Sequence, residues 1–269
     1  MFEAGLDQSA GLRRQMPQPV LRLVPVIRHS SGEAELRLLW QLCQGFVEQG
    51  LSVAVLDTDA GLAAESARAC GGHAEVCDVA DRAAVDAACG KAEAALGPVD
   101  ILVNNAGISP KRDGKPVPVW EMDGDEWDAV VAVNLTGCFN MARRLTPGMV
   151  ARKRGWVVNM ASVSGRVWTP LVGGHYTATK TALVGLTRHW AGELGPHGVR
   201  VNAVAPGRIA TPLAKLTAPE TNRAIVEATP LGRAGEPGEV ARAVCFLSGP
   251  DAEFVTGATL DVSGGWMMS

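Results

Sequence analysis

Tyrosine is almost absent from this sequence, since Tyr176 is the only one in 269 residues. Long apolar runs are absent as well: no stretch is long enough to span a bilayer, and residues 1–20 lack the apolar centre of a signal peptide. The formal net charge is only −3, with both signs interspersed, so there is no basic stripe for a phosphate backbone. We therefore expect a soluble, cytoplasmic protein without a nucleic-acid or membrane partner.

Cysteine pairs with metal-ligand spacing are also missing. The six cysteines show neither C-x-x-C spacing nor a nearby histidine ligand pattern. Such cysteines are typical of small buried side chains in a reducing compartment, and the sequence predicts no metal site. The positions concerned are Cys43, Cys70, Cys77, Cys89, Cys138 and Cys245.

The sequence does contain a regular alternation of short β-branched runs and longer alanine-rich segments. This alternation predicts an α/β fold, a doubly wound parallel sheet with helices on both faces. We expect residues 1–20 to form a loosely ordered tail and residues 21–269 to form a single domain without linkers or repeats. The predicted strands are residues 21–27, 52–56, 74–77, 101–103, 156–160, 200–204 and 259–262.

The single tyrosine lies four residues before Lys180, and residues four apart share one face of a helix. A phenol titrates near pH ~10, too high for a base at neutral pH, but a nearby cation favours the phenolate. The pair therefore indicates an acid–base group. The alternative is an ordinary surface pair, because this spacing of tyrosine and lysine is common by chance.

Polar or small residues follow several predicted strands. Asp57 follows residues 52–56, where its carboxylate can accept hydrogen bonds from both ribose hydroxyls of an adenosine group. The alternative for Asp57 is a helix N-cap. Small residues after residues 101–103 allow close approach of a flat ligand, or form a plain turn. In chain order the remaining segments are Asp78-Val79, Asn104-Asn105-Ala106-Gly107, Asn134, Ser162 and Pro206-Gly207-Arg208-Ile209-Ala210-Thr211.

In this order and at these distances, the segments make the chain similar to the short-chain dehydrogenase/reductase family from about Leu21 to the C-terminus. Members like 3-oxoacyl-acyl-carrier-protein reductase and members like polyol dehydrogenases fit the motifs equally well. The resemblance implies a Rossmann-type fold and a nicotinamide cofactor. It also implies an oxidoreductase that interconverts a secondary alcohol and a ketone.

The resemblance assigns a role to each motif residue. Tyr176 would exchange a proton with the substrate oxygen, and Ser162 would hydrogen-bond that oxygen. Lys180 would favour the phenolate and bind the nicotinamide ribose, and Asn134 would hold a water that links Lys180 to solvent. The implied cofactor-binding residues are Gly32, Asp57, Asp78, Val79, Asn105, Ala106, Gly107, Tyr176, Lys180, Pro206, Gly207, Ile209 and Thr211.

Asp57 also bears on the choice of cofactor. A phosphate on the adenosine 2′-hydroxyl would bring a like charge to its carboxylate, so NAD is expected over NADP. Arg28 is the one residue that would reverse this preference, if its loop turned inward and paired with the phosphate.

The phosphate-binding turn departs from the family pattern. Members have T-G-x-x-x-G-x-G after the first strand, where glycines let a diphosphate lie on the next helix's N-terminus. Here only Gly32 remains, Arg28 and Ala34 replace the first and last glycines, and Glu33 adds negative charge. Two interpretations stay open for residues 25–40: a diverged site, or a local sequence error. The alternative function is a catalytically impaired binding or scaffold protein, against which the complete catalytic set argues.

Two other groups near the motifs have a functional and a plain interpretation. His175 could contact substrate, but a packing or capping role is favoured for a histidine at the start of a helix. Lys111, Arg112 and Lys115 could bind an anionic substrate, but a solvated loop is favoured.

Two predicted helices, residues 126–144 and 177–194, carry more apolar residues than one sheet-facing stripe requires. The resemblance implies that these helices pack against symmetry mates and that the C-terminus meets another subunit, which gives a homotetramer, with a dimer as the fallback. The residues concerned are Val130, Val133, Phe139, Leu183, Leu186 and Trp190 in the helices, and Trp266, Met267 and Met268 at the C-terminus.

Overall fold

The computed structural model describes residues 21–25, 35–210 and 219–268, with side chains from residue 41 onward. The predicted tail, residues 1–20, lies outside the described residues. So do Gly32 and Thr211 of the predicted cofactor site, and most of the altered phosphate-binding turn.

Seven strands form one parallel sheet in the order β3-β2-β1-β4-β5-β6-β7. The predicted doubly wound α/β fold is therefore confirmed, and the strand bounds lie within two residues of those predicted. The strands are β1 (Leu21–Pro25), β2 (Ser52–Asp57), β3 (His73–Val76), β4 (Val99–Asn104), β5 (Gly155–Met160), β6 (Val199–Pro206) and β7 (Thr259–Val262).

Proline in the central strand β1 is accommodated by its position. Pro25 is the last residue of β1 and lies opposite Leu56 of β2. On its other side β1 pairs with β4 only over Leu21 to Leu23. Proline cannot donate to a strand ladder, and here it lies beyond the part of β1 that both neighbours share.

Helices cover both faces of the sheet. Eight α-helices occur in the described ranges, and none of them is long and apolar enough to cross a membrane. They are α1 (Glu35–Val47), α2 (Ala60–Cys70), α3 (Arg82–Leu96), α4 (Gly124–Val131), α5 (Gly137–Arg152), α6 (Gly174–Leu194), α7 (Pro219–Ala228) and α8 (Pro237–Leu247), and a π-helical turn, Ala132–Thr136, joins α4 to α5.

The core lies in two layers, one on each face of the sheet. On one face α1 and α8 pack against β2, β4, β5 and β6, with Phe46 and Val244 fully buried. On the other face α3 and α5 pack against the opposite sides of these strands, with Met141 and Met149 fully buried. Alternate residues of the central strands serve the two layers, which explains their almost continuous apolar sequence.

The topology determines where a ligand can bind. Because all strands are parallel, their carboxyl ends meet at one edge of the sheet, and the strand order reverses between β1 and β4. Ligands of doubly wound sheets bind in the crevice that forms at such a reversal. The loops after β2, β4, β5 and β6, which carry the predicted site residues, all open at this edge.

Four of the six cysteines are buried, namely Cys43, Cys77, Cys89 and Cys138. This agrees with the prediction of small buried side chains. In the part of the chain that the structure describes, no group of three or more His, Cys, Asp or Glu side chains could hold a metal ion.

Candidate active site

Tyr176 and Lys180 lie side by side in the first two turns of α6, as the spacing predicts. The Lys180 Nζ is 5.5 Å from the centroid of the tyrosine ring. The lysine is almost completely buried, and its ammonium donates a 2.6 Å hydrogen bond to the carbonyl of Met160, the last residue of β5. The ammonium is therefore fixed beside the phenol, whose ring is half-buried.

Ser162 lies two residues beyond Met160, at the same strand end. Its backbone is extended, and its Oγ accepts a 3.1 Å hydrogen bond from the backbone N–H of Ser164, within the short 3-10 turn Val163–Gly165. This bond orients a hydroxyl that can still donate to a substrate oxygen. The end of β5 thus positions both Ser162 and the ammonium of Lys180.

Asn134 lies in the π-helical turn between α4 and α5 and is fully buried. Its Oδ1 accepts from the Ile108 N–H at 2.7 Å, and its Nδ2 donates to the Ile108 carbonyl at 3.0 Å and to Thr179 Oγ1 at 3.3 Å. The side chain therefore ties the loop after β4 to α6. Single π-turns inside helices are frequent at functional sites.

Gly107 brings the loop after β4 against Lys180 and Asn134. A Cβ at this position would lie 3.4 Å from Lys180 Nζ and 3.5 Å from Asn134 Oδ1. A larger side chain would have to displace one of these two groups. The close approach explains why small residues follow β4 here.

A buried polar chain beneath the site was not predicted. Asn104 donates from Nδ2 to Asn159 Oδ1 at 2.8 Å, and Asn159 donates to Thr187 Oγ1 at 3.0 Å. The three residues belong to β4, β5 and α6, so the chain fixes the relative positions of the elements that carry the site. The feature of the sequence that could have revealed this chain is the pair of asparagines at the ends of adjacent strands, Asn104 and Asn159.

Asp57, at the end of β2, is 1% exposed. The helix N-cap alternative is wrong for this residue, because Asp59 caps α2 by accepting from the N–H groups of Gly61 and Leu62. Asp57 instead accepts from the Asp59 N–H at 3.0 Å, and burial raises the pKa of its carboxyl. A desolvated carboxylate of this kind fits hydroxyl donors, such as those of a ribose.

The other predicted cofactor residues lie at the same sheet edge. Asp78 is exposed, whereas Val79 is buried, and its Cγ2 lies where a Cβ on Gly137 of α5 would be. Ile209 is buried and forms a β-bridge with Gly235. Of the remaining predicted residues, Asn105 and Ala106 follow β4. Pro206 is the last residue of β6, and Gly207 follows it.

His175 is fully buried, as its packing or capping interpretation predicted. Its Nδ1 accepts the backbone N–H of Tyr176 at 2.6 Å, and its Nε2 lies 3.0 Å from Glu126 Oε1 of α4. An Nδ1 that accepts a hydrogen bond carries no proton, so the ring is the tautomer that donates from Nε2 to the carboxylate. Sequence reasoning missed Glu126.

The loop after β4 is only partly solvated. Arg112 and Lys115 are exposed, as predicted, but the prediction is wrong for Lys111, which is half-buried. Burial lowers the pKa of Lys111, and so does the positive charge of Arg208, which follows β6. Arg208 follows Pro206 and Gly207 in one of the motif segments, but the sequence predicted no role for it.

A parallel doubly wound sheet with Ser162, Tyr176 and Lys180 together at its carboxyl edge is typical of one class of protein, the nicotinamide-dependent oxidoreductases. The model of a protein family described as enoyl-(acyl carrier protein) reductase matches residues 38–267. The chain belongs to the short-chain dehydrogenase/reductase family.

Characterised relatives cover most of the chain. Galactitol 2-dehydrogenase (L-tagatose-forming) of Cereibacter sphaeroides is 40% identical over 232 residues, which are 84% of this chain and 89% of that protein. A 3-oxoacyl-[acyl-carrier protein] reductase from Brucella melitensis, solved with bound NAD, is 42% identical with a TM-score of 0.83, and the match covers 100% of this chain and 98% of that chain.

A gluconate 5-dehydrogenase from Burkholderia cenocepacia, solved with NADP and tartrate, is 32% identical with a TM-score of 0.83. The match covers 96% of this chain and 98% of that chain. The chain is thus an oxidoreductase of CH–OH groups that acts on alcohol, ketone or acyl substrates with a nicotinamide cofactor.

Proposed function

We propose that this protein transfers a hydride between a nicotinamide cofactor, preferentially NAD, and a secondary alcohol or ketone, with Tyr176 as the general acid and base. The observation that carries the proposal is the ammonium of Lys180, fixed on the Met160 carbonyl and 5.5 Å from the ring of the single tyrosine. A cation held beside the ring can compensate negative charge on the phenol oxygen while the proton is transferred.

The residues at the sheet edge fit such a cofactor. Asp57 offers a buried carboxylate to the adenosine ribose, and the small residues after β4 allow a flat group to approach Lys180. When bound, the cofactor supplies or accepts the hydride. The residues that we propose to hold it are Gly32, Asp57, Asp78, Val79, Asn105, Ala106, Gly107, Tyr176, Lys180, Pro206, Gly207, Ile209 and Thr211.

The protein side chains handle the proton. In the reductive direction Tyr176 gives its phenolic proton to the substrate oxygen, while the Ser162 hydroxyl donates a hydrogen bond to the same oxygen. Lys180 compensates the charge left on the phenolate. Asn134 keeps Lys180 in place through the Ile108 backbone and Thr179, and we propose that it also holds the water that reprotonates the lysine.

The preference for NAD rests on Asp57. A 2′-phosphate would place two negative charges together in a site from which water is largely excluded. The relatives do not decide the question, because one neighbour was solved with NAD and another with NADP.

The remaining proposals concern the whole protein. We propose that residues 21–269 form the catalytic domain, that residues 1–20 are a loosely ordered tail, and that the protein works in the cytoplasm as a homotetramer. Four buried cysteines, Cys43, Cys77, Cys89 and Cys138, support a reducing compartment. Small alcohols or ketones are the proposed partners, consistent with the polyol and oxoacyl substrates named for the relatives.

Two measurements test the function. Isothermal calorimetry with NAD should show binding in the micromolar range, whereas a scaffold protein with a degenerate phosphate-binding turn should show no heat. A panel of alcohols and ketones, followed by nicotinamide absorbance, should then reveal turnover. Absence of both binding and turnover would refute the proposal.

A further inference from the structure

A buried hydroxyl without a hydrogen-bond partner lies in the loop after β4. Ser109 is 9% exposed, and its Oγ has no partner in the part of the chain that the structure describes. A buried hydroxyl that bonds nothing costs free energy, so its presence requires an explanation. Ser109 Oγ can both donate and accept a hydrogen bond, and neither capacity is used within the described ranges.

Three other buried polar atoms lack a partner among the described residues, but none of them shares this setting. Ser66 lies inside α2, where rotation of its side chain can bring the hydroxyl to a carbonyl of the preceding turn. Thr259 begins β7 at the amino edge of the sheet, and the amide of Asn104 is already bound through Nδ2. Ser109 lies in an irregular loop at the carboxyl edge, where no helical turn offers a carbonyl.

Hydrogen bonds to Asn134 fix the backbone just before Ser109. The N–H of Ile108 donates to Asn134 Oδ1 at 2.7 Å, and the Ile108 carbonyl accepts from Asn134 Nδ2 at 3.0 Å. A single amide can bond both groups of one residue only if they point the same way, as they do in a strand that pairs with a neighbour. Ile108 is therefore extended, like a strand residue.

An extended Ile108 places the side chains of its two neighbours on one side of the loop. At Gly107 this side faces the ammonium of Lys180, because a Cβ at Gly107 would lie 3.4 Å from Lys180 Nζ. Ser109 is thus directed to the same side, about 7 Å further along the loop. Since Lys180 Nζ is 5.5 Å from the ring centroid of Tyr176, the Ser109 hydroxyl borders the space beside this pair.

A second oxygen of the substrate would complete the hydrogen bonds of this hydroxyl. The reacting oxygen already has Tyr176 and Ser162 as its proposed partners, and these two residues lie on α6 and after β5. Ser109 lies on a different loop and therefore meets a different part of the same molecule. A neutral oxygen, whether hydroxyl or carbonyl, matches an uncharged side chain that both donates and accepts.

We propose that Ser109 binds a second, neutral oxygen of the substrate and so selects alcohols and ketones that carry a hydroxyl or carbonyl group near the reacting carbon. This inference rests on the proposed oxidoreductase function and names the substrate class of the same site. A site that offers a buried polar group rejects an analogue that cannot pair with it, because the group then stays unpaired in the complex.

Three uncharged ketones test the proposal, with reduction followed by the loss of NADH absorbance. Pentan-2-one has no second oxygen, 1-hydroxybutan-2-one has a hydroxyl beside the ketone, and ethyl acetoacetate has an ester carbonyl one carbon further away. In Ser109→Ala, kcat/KM for one of the two oxygenated ketones should fall roughly three- to tenfold, while the value for pentan-2-one changes less than about twofold. The ketone that is affected identifies the bound oxygen as a hydroxyl or a carbonyl.

Ser66→Ala is the matched control. It removes another buried hydroxyl without a partner in the described ranges, but from α2, so all three values should stay unchanged. In Ser109→Ala, equal losses for all three ketones, or no loss for either oxygenated ketone, would overturn the proposal. So would a rise in KM for NADH alone, because the hydroxyl would then serve the cofactor.

Thermal melting separates a binding role from a structural one. A hydroxyl without a partner does not stabilise the free protein, so Ser109→Ala should melt at the temperature of the wild type or higher. A clear fall in melting temperature would count against the proposal, because the hydroxyl would then hold the fold through a partner of its own.

A binding measurement separates this inference from the proposed function. Saturation-transfer NMR with the two oxygenated ketones in the presence of NAD does not depend on turnover. Binding that weakens at least about threefold in Ser109→Ala supports the inference even if the wild type reduces no ketone, which would refute only the function. Turnover by the wild type with unchanged binding in Ser109→Ala would refute only the inference, and so would a wild type that binds neither ketone.

Discussion

At the scale of single residues, the phenol of Tyr176 depends on a neighbour that is itself held by the sheet. We predict that Tyr176→Phe lowers kcat/KM by roughly a hundredfold or more, because the ring still packs but the proton donor is lost. NAD binding, measured by calorimetry, should survive. Lys180→Met should impair both turnover and binding, because the same ammonium serves the phenol and the ribose. Near-normal activity of Tyr176→Phe would contradict the mechanism.

Asp57 illustrates a conflict between stability and binding. Burial raises the pKa of its carboxyl above the ordinary value of 3.8, so the folded protein holds this proton more tightly than the unfolded chain. The carboxyl therefore lowers the free energy of unfolding as the pH rises above 3.8, and the penalty is fully present above the folded-state pKa. A buried Asp57 carboxylate therefore destabilises the fold at neutral pH. We propose that it is present because it binds the ribose hydroxyls of the cofactor.

Asp57→Asn tests both sides of this conflict. Without cofactor, the variant should melt roughly 2–4 °C higher than the wild type at pH 7, and the difference should shrink as the pH approaches 4. NAD should bind roughly tenfold more weakly, and the preference for NAD over NADP should decrease. Asp123→Asn, at the N-cap of α4, is the control, since asparagine caps a helix as well as aspartate does. A higher kcat/KM with NADP than with NAD in the wild type would contradict the assignment.

At the scale of secondary structure, the start of α6 is held by a side chain rather than by its N-cap. The N-cap residue is Gly173, which offers no side-chain acceptor, and His175 Nδ1 accepts the Tyr176 N–H instead. Glu126 of α4 fixes the ring from the other side, and its second oxygen lies 3.5 Å from Arg112. The orientation of Tyr176 thus depends on α4 and on the loop after β4.

Replacement of His175 should therefore reduce the rate without preventing folding. We predict that His175→Ala lowers kcat roughly tenfold, with little change in the KM for NAD, because the phenol is misplaced. His175→Asn should restore most of the rate, since its Oδ1 can replace Nδ1 as the acceptor. His189→Ala, an exposed position of the same helix, serves as the reference. Equal rates for the alanine and asparagine variants would argue against a positioning role.

The elements themselves could be predicted from the sequence, whereas several contacts at the site could not. Alternating β-branched and alanine-rich segments locate all seven strands, and the spacing of Tyr176 and Lys180 fixes their shared helix face. The sequence does not reveal which of two aspartates caps α2, because Asp57 and Asp59 follow the same strand and only the backbone conformation separates them. The π-turn at Asn134 depends on hydrogen bonds to a distant loop, so no local pattern predicts it.

The same limit applies to the contact of His175 with Glu126 and to the positive charge of Arg208 that acts on Lys111. In both cases the residues are remote in sequence, and the fold brings them together. Composition assigned Lys111 to a solvated loop because basic residues in Gly/Pro-rich segments are usually exposed. Lys111 is an exception to this tendency because of the fold, since β4 and β6 end at the same sheet edge, on either side of β5.

At the scale of the whole molecule, we propose that some of the exposed apolar side chains form subunit contacts. The prediction that residues 126–144 and 177–194 form helices with a second apolar face is partly wrong, because Val130 and Leu183 are fully buried within the subunit. Other apolar residues of α4 and α5 do remain exposed, with Trp127 at 41% and Phe139 at 42%. At the C-terminus Met268 is 80% exposed. The exposed apolar side chains of α4, α5 and the C-terminus lie on the segments where the family resemblance implies two subunit contacts.

Light scattering at micromolar concentration tests this assembly. We predict a particle of about four chains of 28.1 kDa, built from one contact through α4 to α6 and another through the C-terminus. Phe139→Glu places a charge in the first contact, so the mass should fall by half while the C-terminal contact holds the remaining dimer. Trp120→Glu is the control, because this exposed tryptophan lies in the loop after β4, outside these helices. A wild-type monomer that persists on concentration would refute both contacts, and a wild-type dimer that Phe139→Glu leaves intact would refute the helix contact alone.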